Sequence, residues 1–328
     1  MTGASHGASF GIAVLLFAVL TGNVTAQDVD VGGRVYMDYF YQFSSPVDEQ
    51  EGLHGFTYRR LYLTTDARLS NAFRARARLE ANDGTSGAKG PVPFVKDLWL
   101  EWNYAGDHTG TVGVQPPPVF QLAEEVYGYR SLEKTVLDFQ GINGSRDFGI
   151  RMDGPVGSGG LVRYALMLAN NSGTRPESDV YKRGYGEVSI HPNEAMTFSL
   201  NADHSGYGDE RSRSNRISAF GGYRADGAGV GAQLFWYELE YASGDRLRNV
   251  GASLFGRLRL NADWEVMTRV DVNRETPAAG DIDETFVLLG ITYFPIENVR
   301  ITPNIWLFDS ETLASPDALA RITVDVSF

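Results

Sequence analysis

The sequence predicts an all-β protein: a transmembrane antiparallel β-barrel of sixteen strands with a long third loop folded inward. Three observations lead there. Segments in which apolar and polar side chains alternate residue by residue run through most of the chain. Short and long connections between those segments take strict turns, and one connection is too long and too apolar for a solvated loop.

The chain opens with the apolar run Ile12 to Leu20, too short to cross a bilayer as a helix, followed by Val24-Thr25-Ala26, the small-x-small end of an export signal. Residues 1–26 are therefore expected to be a signal peptide and 27–328 the barrel. The signal is atypical, because no Lys or Arg precedes the apolar run. No other long apolar run follows, which excludes a helical membrane protein but not a barrel, whose strands alternate. The absence of cysteine excludes a disulfide framework, thiol chemistry and cysteine metal sites. A net charge of −12 argues against a nucleic-acid partner and fits solvated loops.

In the first strand Val31, Gly33, Val35, Met37, Tyr39 and Tyr41 alternate with Arg34, Tyr36, Asp38, Phe40 and Gln42. Phe56 to Asn82 reads as two strands joined at Ser70-Asn71. On the first, Leu61, Leu63, Ala67 and Leu69 alternate with Tyr58, Arg60, Tyr62, Thr64, Asp66 and Arg68. On the second, Phe73, Ala75, Ala77, Leu79 and Ala81 alternate with Arg74, Arg76, Arg78 and Glu80. A soluble sandwich would bury the apolar rows against a second sheet, whereas a barrel turns them to lipid and the arginines to a wet lumen. Slipping the second strand by one residue would face three arginines to lipid at ~2–4 kcal/mol each, which fixes its register.

The pattern recurs at Phe94 to Tyr104, from Val112, at Phe148 to Met152, Val162 to Leu168, Val180 to Ile190, Met196 to Ala202, Ile217 to Tyr223 and Val230 to Trp236. It continues at Val250 to Leu260, Trp264 to Val272, Thr285 to Phe294, Val299 to Leu307 and Ala320 to Phe328. Seven short turns alternate with eight longer polar stretches, placing both termini at the short-turn end. Outer-membrane barrels show this alternation, and a Greek-key sandwich has no reason to keep it. Trp102, Tyr104, Tyr164, Tyr223, Trp236, Trp264 and Tyr293 are candidates for the interfacial girdles.

The longest connection, Pro116 to Ser145, carries Phe120, Leu122, Tyr127, Tyr129, Leu132, Leu137 and Phe139. Such side chains need a surface to pack on, and the barrel interior is the nearest. Folded inward, the segment would narrow the pore; the alternatives are an external cap or a latch on a neighbouring subunit.

Here the sequence resembles the phosphate-selective porin family. The matching features are Arg59-Arg60, the arginine-bearing hairpin after them, Val112 to Pro116 (V-G-V-Q-P), Glu124 to Lys134 (E-E-V-Y-G-Y-R-S-L-E-K) and Arg146 to Gly149 (R-D-F-G). The resemblance implies a homotrimer of sixteen-stranded barrels with an inward third loop and a basic lumen that attracts anions. It makes Arg60, Arg74, Arg76 and Arg78 wall residues and Arg130 and Lys134 constriction residues. Glu124, Glu125, Glu133 and Asp138 in the same loop, with Asp38, Glu80, Asp97, Glu101 and Glu265 on the wall, depart from a purely basic pore. A basic wall facing an acidic loop would set up a transverse field, which points to a diffusion channel for small hydrophilic, charged solutes. No catalytic residue, metal or cofactor is expected. The expected partners are outer-membrane lipid and lipopolysaccharide, and the barrel assembly machinery through the strand ending in Phe328.

A plugged binding or adhesive barrel and an exported all-β hydrolase are the rival classes. Ser189 and His191 share a strand face but have no orienting partner in the sequence. Asp203, Asp209 and Glu210, and Asp281, Asp283 and Glu284, are clustered carboxylates that could hold calcium or bridge lipopolysaccharide through divalent ions, although solvated loop tips are the commoner explanation of such groups.

Overall fold

A computed structural model describes residues 28–84, 86–87, 90–157, 159–277 and 280–328; the expected signal peptide lies outside the described residues. The barrel opens with β1 (Asp28–Ser44), β2 (His54–Arg68), β3 (Phe73–Asn82), β4 (Phe94–Ala105) and β5 (His108–Gln115). A long loop, L3, carries the short helices α1 (Gln121–Tyr127) and α2 (Val136–Phe139). Next come β6 (Asp147–Val156), β7 (Val162–Ala169), β8 (Arg183–Asn193), β9 (Met196–Gly206), β10 (Arg211–Ala225) and β11 (Ala228–Tyr241). The barrel ends with β12 (Arg246–Arg259), β13 (Trp264–Thr276), β14 (Ile282–Ile296), β15 (Val299–Ser310) and β16 (Asp317–Ser327).

Every strand pairs antiparallel with its sequence neighbours, and β1 pairs with β16, so the sixteen strands close into one barrel. Closure removes the exposed edge that an open sheet would present. At the seam Gly33 N donates to the Phe328 carbonyl at 2.7 Å and Phe328 N donates to the Gly33 carbonyl at 3.0 Å. The Phe328 ring lies over Gly33, and a β-carbon there would meet it at 2.3 Å. Both described termini sit at the short-turn end, as expected.

The apolar rows face outward: Leu61, Leu63, Leu98, Ile150, Leu168, Leu234, Leu254 and Ile322 are all exposed on the barrel exterior. Their exposure fits contact with acyl chains. Trp102, Tyr223 and Trp264 lie on the same outer face toward the short turns, where the Trp264 and Tyr293 rings are 4.9 Å apart. Tyr39, Tyr41, Phe43 and Phe56 cluster outside at the opposite rim. Apolar residues thus form a band between two aromatic zones.

Among the register shifts, two bear on the lumen wall. In the pairing of β1 with β2, Tyr36 faces Arg60 but Met37 faces Tyr58, leaving Arg59 as an extra residue. In the pairing of β3 with β4, Arg78 faces Asp97 but Leu79 faces Val95, leaving Lys96 extra. These β-bulges turn the consecutive residues Arg59-Arg60 and Lys96-Asp97 all to the lumen. They also correct one expectation: beyond the bulge the face switches, so Tyr58 is exposed outside rather than lining the lumen. A second correction concerns β8, which starts at Arg183 and not at Val180. Val180 is exposed in the preceding loop, where Tyr181 N donates to Asp179 Oδ1 at 2.7 Å and Lys182 Nζ to Glu177 Oε2 at 2.6 Å. Those local bonds satisfy the loop without a strand partner.

Candidate functional site

L3 folds into the barrel. The α1 helix buries Ala123, Val126 and Tyr127, and Gly128, at φ 70°, ends it with its N–H donated to the Glu124 carbonyl at 2.9 Å. Only glycine takes that conformation at little strain. Val126, Tyr127, Tyr129 and Leu132 then pack on Phe220, Phe255, Phe286 and Leu288 of the inner wall. Val119, Phe120, Val136, Leu137 and Ile142 pack on Met167, Tyr185 and Phe235. The loop therefore has a hydrophobic core of its own inside the lumen, and the external-cap alternative does not hold.

Wall arginines moor the loop by its backbone. Arg151 donates to the Pro116 carbonyl at 3.1 Å, Arg224 to Glu125 at 3.3 Å, Arg257 to Val126 at 3.4 Å, Arg300 to Gly128 at 3.0 Å and Arg321 to Leu132 at 3.1 Å. Arg59 donates to the Ser131 carbonyl and Arg269 to that of Lys134. Side chains add to this: Tyr129 Oη donates to Glu265 Oε1 at 2.6 Å, and Trp306 Nε1 to Glu133 Oε2 at 3.0 Å. Such charge-assisted bonds are stronger than neutral ones.

Packed on strands from β7 to β15, the loop leaves open space along β1 to β5. A cavity of about 560 Å³ lies between Tyr36, Tyr62 and Arg78 of the wall and Glu124 and Arg130 of the loop. A second, of about 400 Å³, is lined by Arg74, Arg76, Trp99, Glu101 and Arg163, and the two share Arg146. Stacking holds several of these groups, with the Arg60 and Arg78 guanidinium groups 5.9 Å and 5.3 Å from the Tyr62 ring centre.

Ion pairing on this wall is unequal. Glu80 is shared by Arg60 at 3.5 Å and Lys96 at 3.1 Å. Asp97 is shared by Arg78 at 3.4 Å and by Arg146, which binds it closely. Each buried acid thus faces two bases, leaving an excess of positive charge beside the passage. By contrast, Arg76 meets Asp66 one to one through bonds of 2.7 and 2.9 Å, and Arg74 meets Glu101.

The loop side differs from the acidic face expected. Arg130 pairs with Glu124 at 3.3 Å and Asp138 at 3.1 Å, and Lys134 lies 3.7 Å from Asp138. Burial opposes the Arg130 charge, but the two carboxylates outweigh it and raise its pKa, so it stays protonated. Glu133 turns away toward Trp306, and Glu125 is exposed. Of the sequence-derived site residues, Arg78, Glu124 and Arg130 line one cavity, Arg74 and Arg76 line the adjoining one, Arg60 lies beside the first against Tyr62 and Glu80, and Glu125, Glu133 and Lys134 line neither. Lys96 and Arg146 were missed as wall charges. Lys96 had a signal, a charged residue directly before another charge within a strand.

The hydrolase constellation does not form. Ser189 Oγ is 3.0 Å from His191 Nε2, but among the described residues His191 Nδ1 meets only Thr197 Oγ1, at 3.3 Å, and no carboxylate orients the ring. The acidic triplets also split, for Asp203 is buried between Arg183 and Arg216 while Asp209 pairs with Arg211 outside.

No protein-family model matches the sequence, and no curated protein matches it. Solved structures do. The chain is similar to the anion-selective porin from Comamonas acidovorans, with 14% identity and a TM-score of 0.68 over 92% of this chain and 99% of that one. The chain has the porin fold. OmpF of Salmonella typhi, in complex with daunomycin, matches with 10% identity and a TM-score of 0.67 over 92% and 97%. The trimer form of OmpT from Vibrio cholerae matches with 11% identity and a TM-score of 0.66 over 92% and 99%. At these identities the likeness to porins carries architecture, not solute.

Proposed function

We propose that the protein is an outer-membrane porin, a passive diffusion channel for small hydrophilic solutes that favours anions. The observation that carries this reading is the pairing of two bases with each of Glu80 and Asp97 on the wall opposite L3. Fixed positive charge in a narrow lumen raises the local concentration of anions. Phosphate and carboxylates suit a wall whose bases are mostly arginine, since the guanidinium fork matches both. Arg60, Arg78, Lys96 and Arg146 attract the solute on one side, while Arg130 and Glu124 bound it on the other. OmpT of Vibrio cholerae has a trimer form, and a homotrimer in outer-membrane lipid and lipopolysaccharide, assembled through the strand ending in Phe328, belongs to the same proposal. Refolded protein in a planar bilayer tests it: stable ohmic steps and an anion-preferring reversal potential in a KCl gradient support the proposal, and the absence of steps rejects it.

A further inference from the structure

At the long-loop end of the lumen, above L3, four inward residues on three adjacent strands form a group that the passage does not use. Asn249 on β12 faces Glu275 on β13, and Asn273 on β13 faces Glu284 on β14. Asn273 Nδ2 donates to Glu284 Oε2 at 2.9 Å, and the Asn249 amide lies against the Glu275 carboxylate. The Asn273 amide nitrogen is thereby spent on a carboxylate. Both amide oxygens are left buried with no hydrogen-bond partner, on residues only 3% and 5% exposed. A buried carbonyl oxygen without a donor is destabilising, and two of them beside two like charges are more so.

The nearby bases do not relieve this. Arg269 is taken by Asp271 at 2.5 Å, whereas Arg274 and Arg248 point outward to Asp283 and Glu238. Among the described residues no ion pair is formed by Glu275 or Glu284.

We propose that Asn249, Asn273, Glu275 and Glu284 form a divalent-cation site suited to calcium. Two carboxylates match its charge, and two amide oxygens with water complete a hard, all-oxygen set of the irregular kind that calcium tolerates better than magnesium. The Oε1 of Glu284 is left for the ion while Oε2 keeps its bond to Asn273. Loading the site would join β12, β13 and β14 beside the turn after Thr276 and would cancel two negative charges at one mouth of the lumen. The effect on anion entry rests on the channel reading above; the binding itself does not.

The test uses the full refolded chain in detergent, titrated with calcium chloride alone by isothermal titration calorimetry, with thermal unfolding in parallel. The expected result is saturable binding and a higher unfolding temperature, both lost in Glu275→Gln/Glu284→Gln, with affinity weakened about tenfold or more. Asn249→Ala, which keeps both carboxylates, should also weaken binding and covers the case in which the double variant fails to fold. Asp281→Asn/Asp283→Asn should leave binding intact. No saturable binding, binding indifferent to Asn249 and Glu284, or binding lost with Asp281 and Asp283 instead would overturn the site. Single-channel steps recorded on the same preparation report on the channel independently.

Discussion

Arg78→Gln isolates the wall charge. Arg78 donates to Thr64 Oγ1 at 2.8 Å and shares Asp97 with Arg146. Removing it leaves Asp97 still paired, so no buried carboxylate is orphaned and folding should survive. Asp97 then faces one base instead of two, while Glu80 keeps both of its own. A permeant anion ~6 Å from the lost charge would lose ~0.7 kcal/mol of attraction at the dielectric of water and ~2.8 kcal/mol at an effective value of ~20. Lumen water and salt screening favour the lower figure. At ~1.4 kcal/mol per tenfold change, the chloride-to-potassium preference should fall about threefold. The assay is the reversal potential across a planar bilayer in a KCl gradient at low ionic strength. Arg211→Gln serves as the control, because its pair with Asp209 lies exposed at the long-loop rim, at the start of β10. An unchanged reversal potential in Arg78→Gln, or an equal shift in the control, would refute the reasoning from wall charge.

Other expectations follow from the loop and the wall. Deleting Val119 to Gln140 should raise single-channel conductance, since that segment occupies part of the lumen; an equal conductance would mean that it does not limit flow. Leu132→Ala removes a side chain with no exposed surface and should cost ~2–5 kcal/mol, lowering the temperature at which the unheated gel band shifts. Tyr129→Phe deprives Glu265 and Thr292 of a partner and should cost ~1–3 kcal/mol, read as a lower unfolding temperature and noisier open-channel current. Gly113→Ala should abolish the heat-modifiable folded band, because at φ 133° its β-carbon would fall 2.1 Å from the Leu98 carbonyl oxygen.

The barrel was legible because lipid outside and water inside impose a period of two on every strand, and the turn lengths alternate with the two rims. Alternation fails to reveal a bulge, which shifts the count by one; the doublets Arg59-Arg60 and Lys96-Asp97 are its trace, and Tyr58 is misplaced by ignoring it. The inward course of L3 could be inferred from its aromatic content, but not the wall it meets. That wall had a signal: Leu254-Phe255 and Phe286 to Leu289 are apolar on both faces, as lipid on one side and a packed loop on the other require. The roles of individual arginines were hidden for a different reason. Arg224, Arg257, Arg300 and Arg321 find main-chain acceptors, which every residue offers and no spacing marks.

Because those guanidinium groups hold carbonyls and not side chains, the anchorage is blind to what the loop displays. An exposed position such as Glu125 is free to exchange acid for base or amide while the segment keeps its berth. A filter could in this way be retuned to a new diet one residue at a time, with the architecture that supports it untouched.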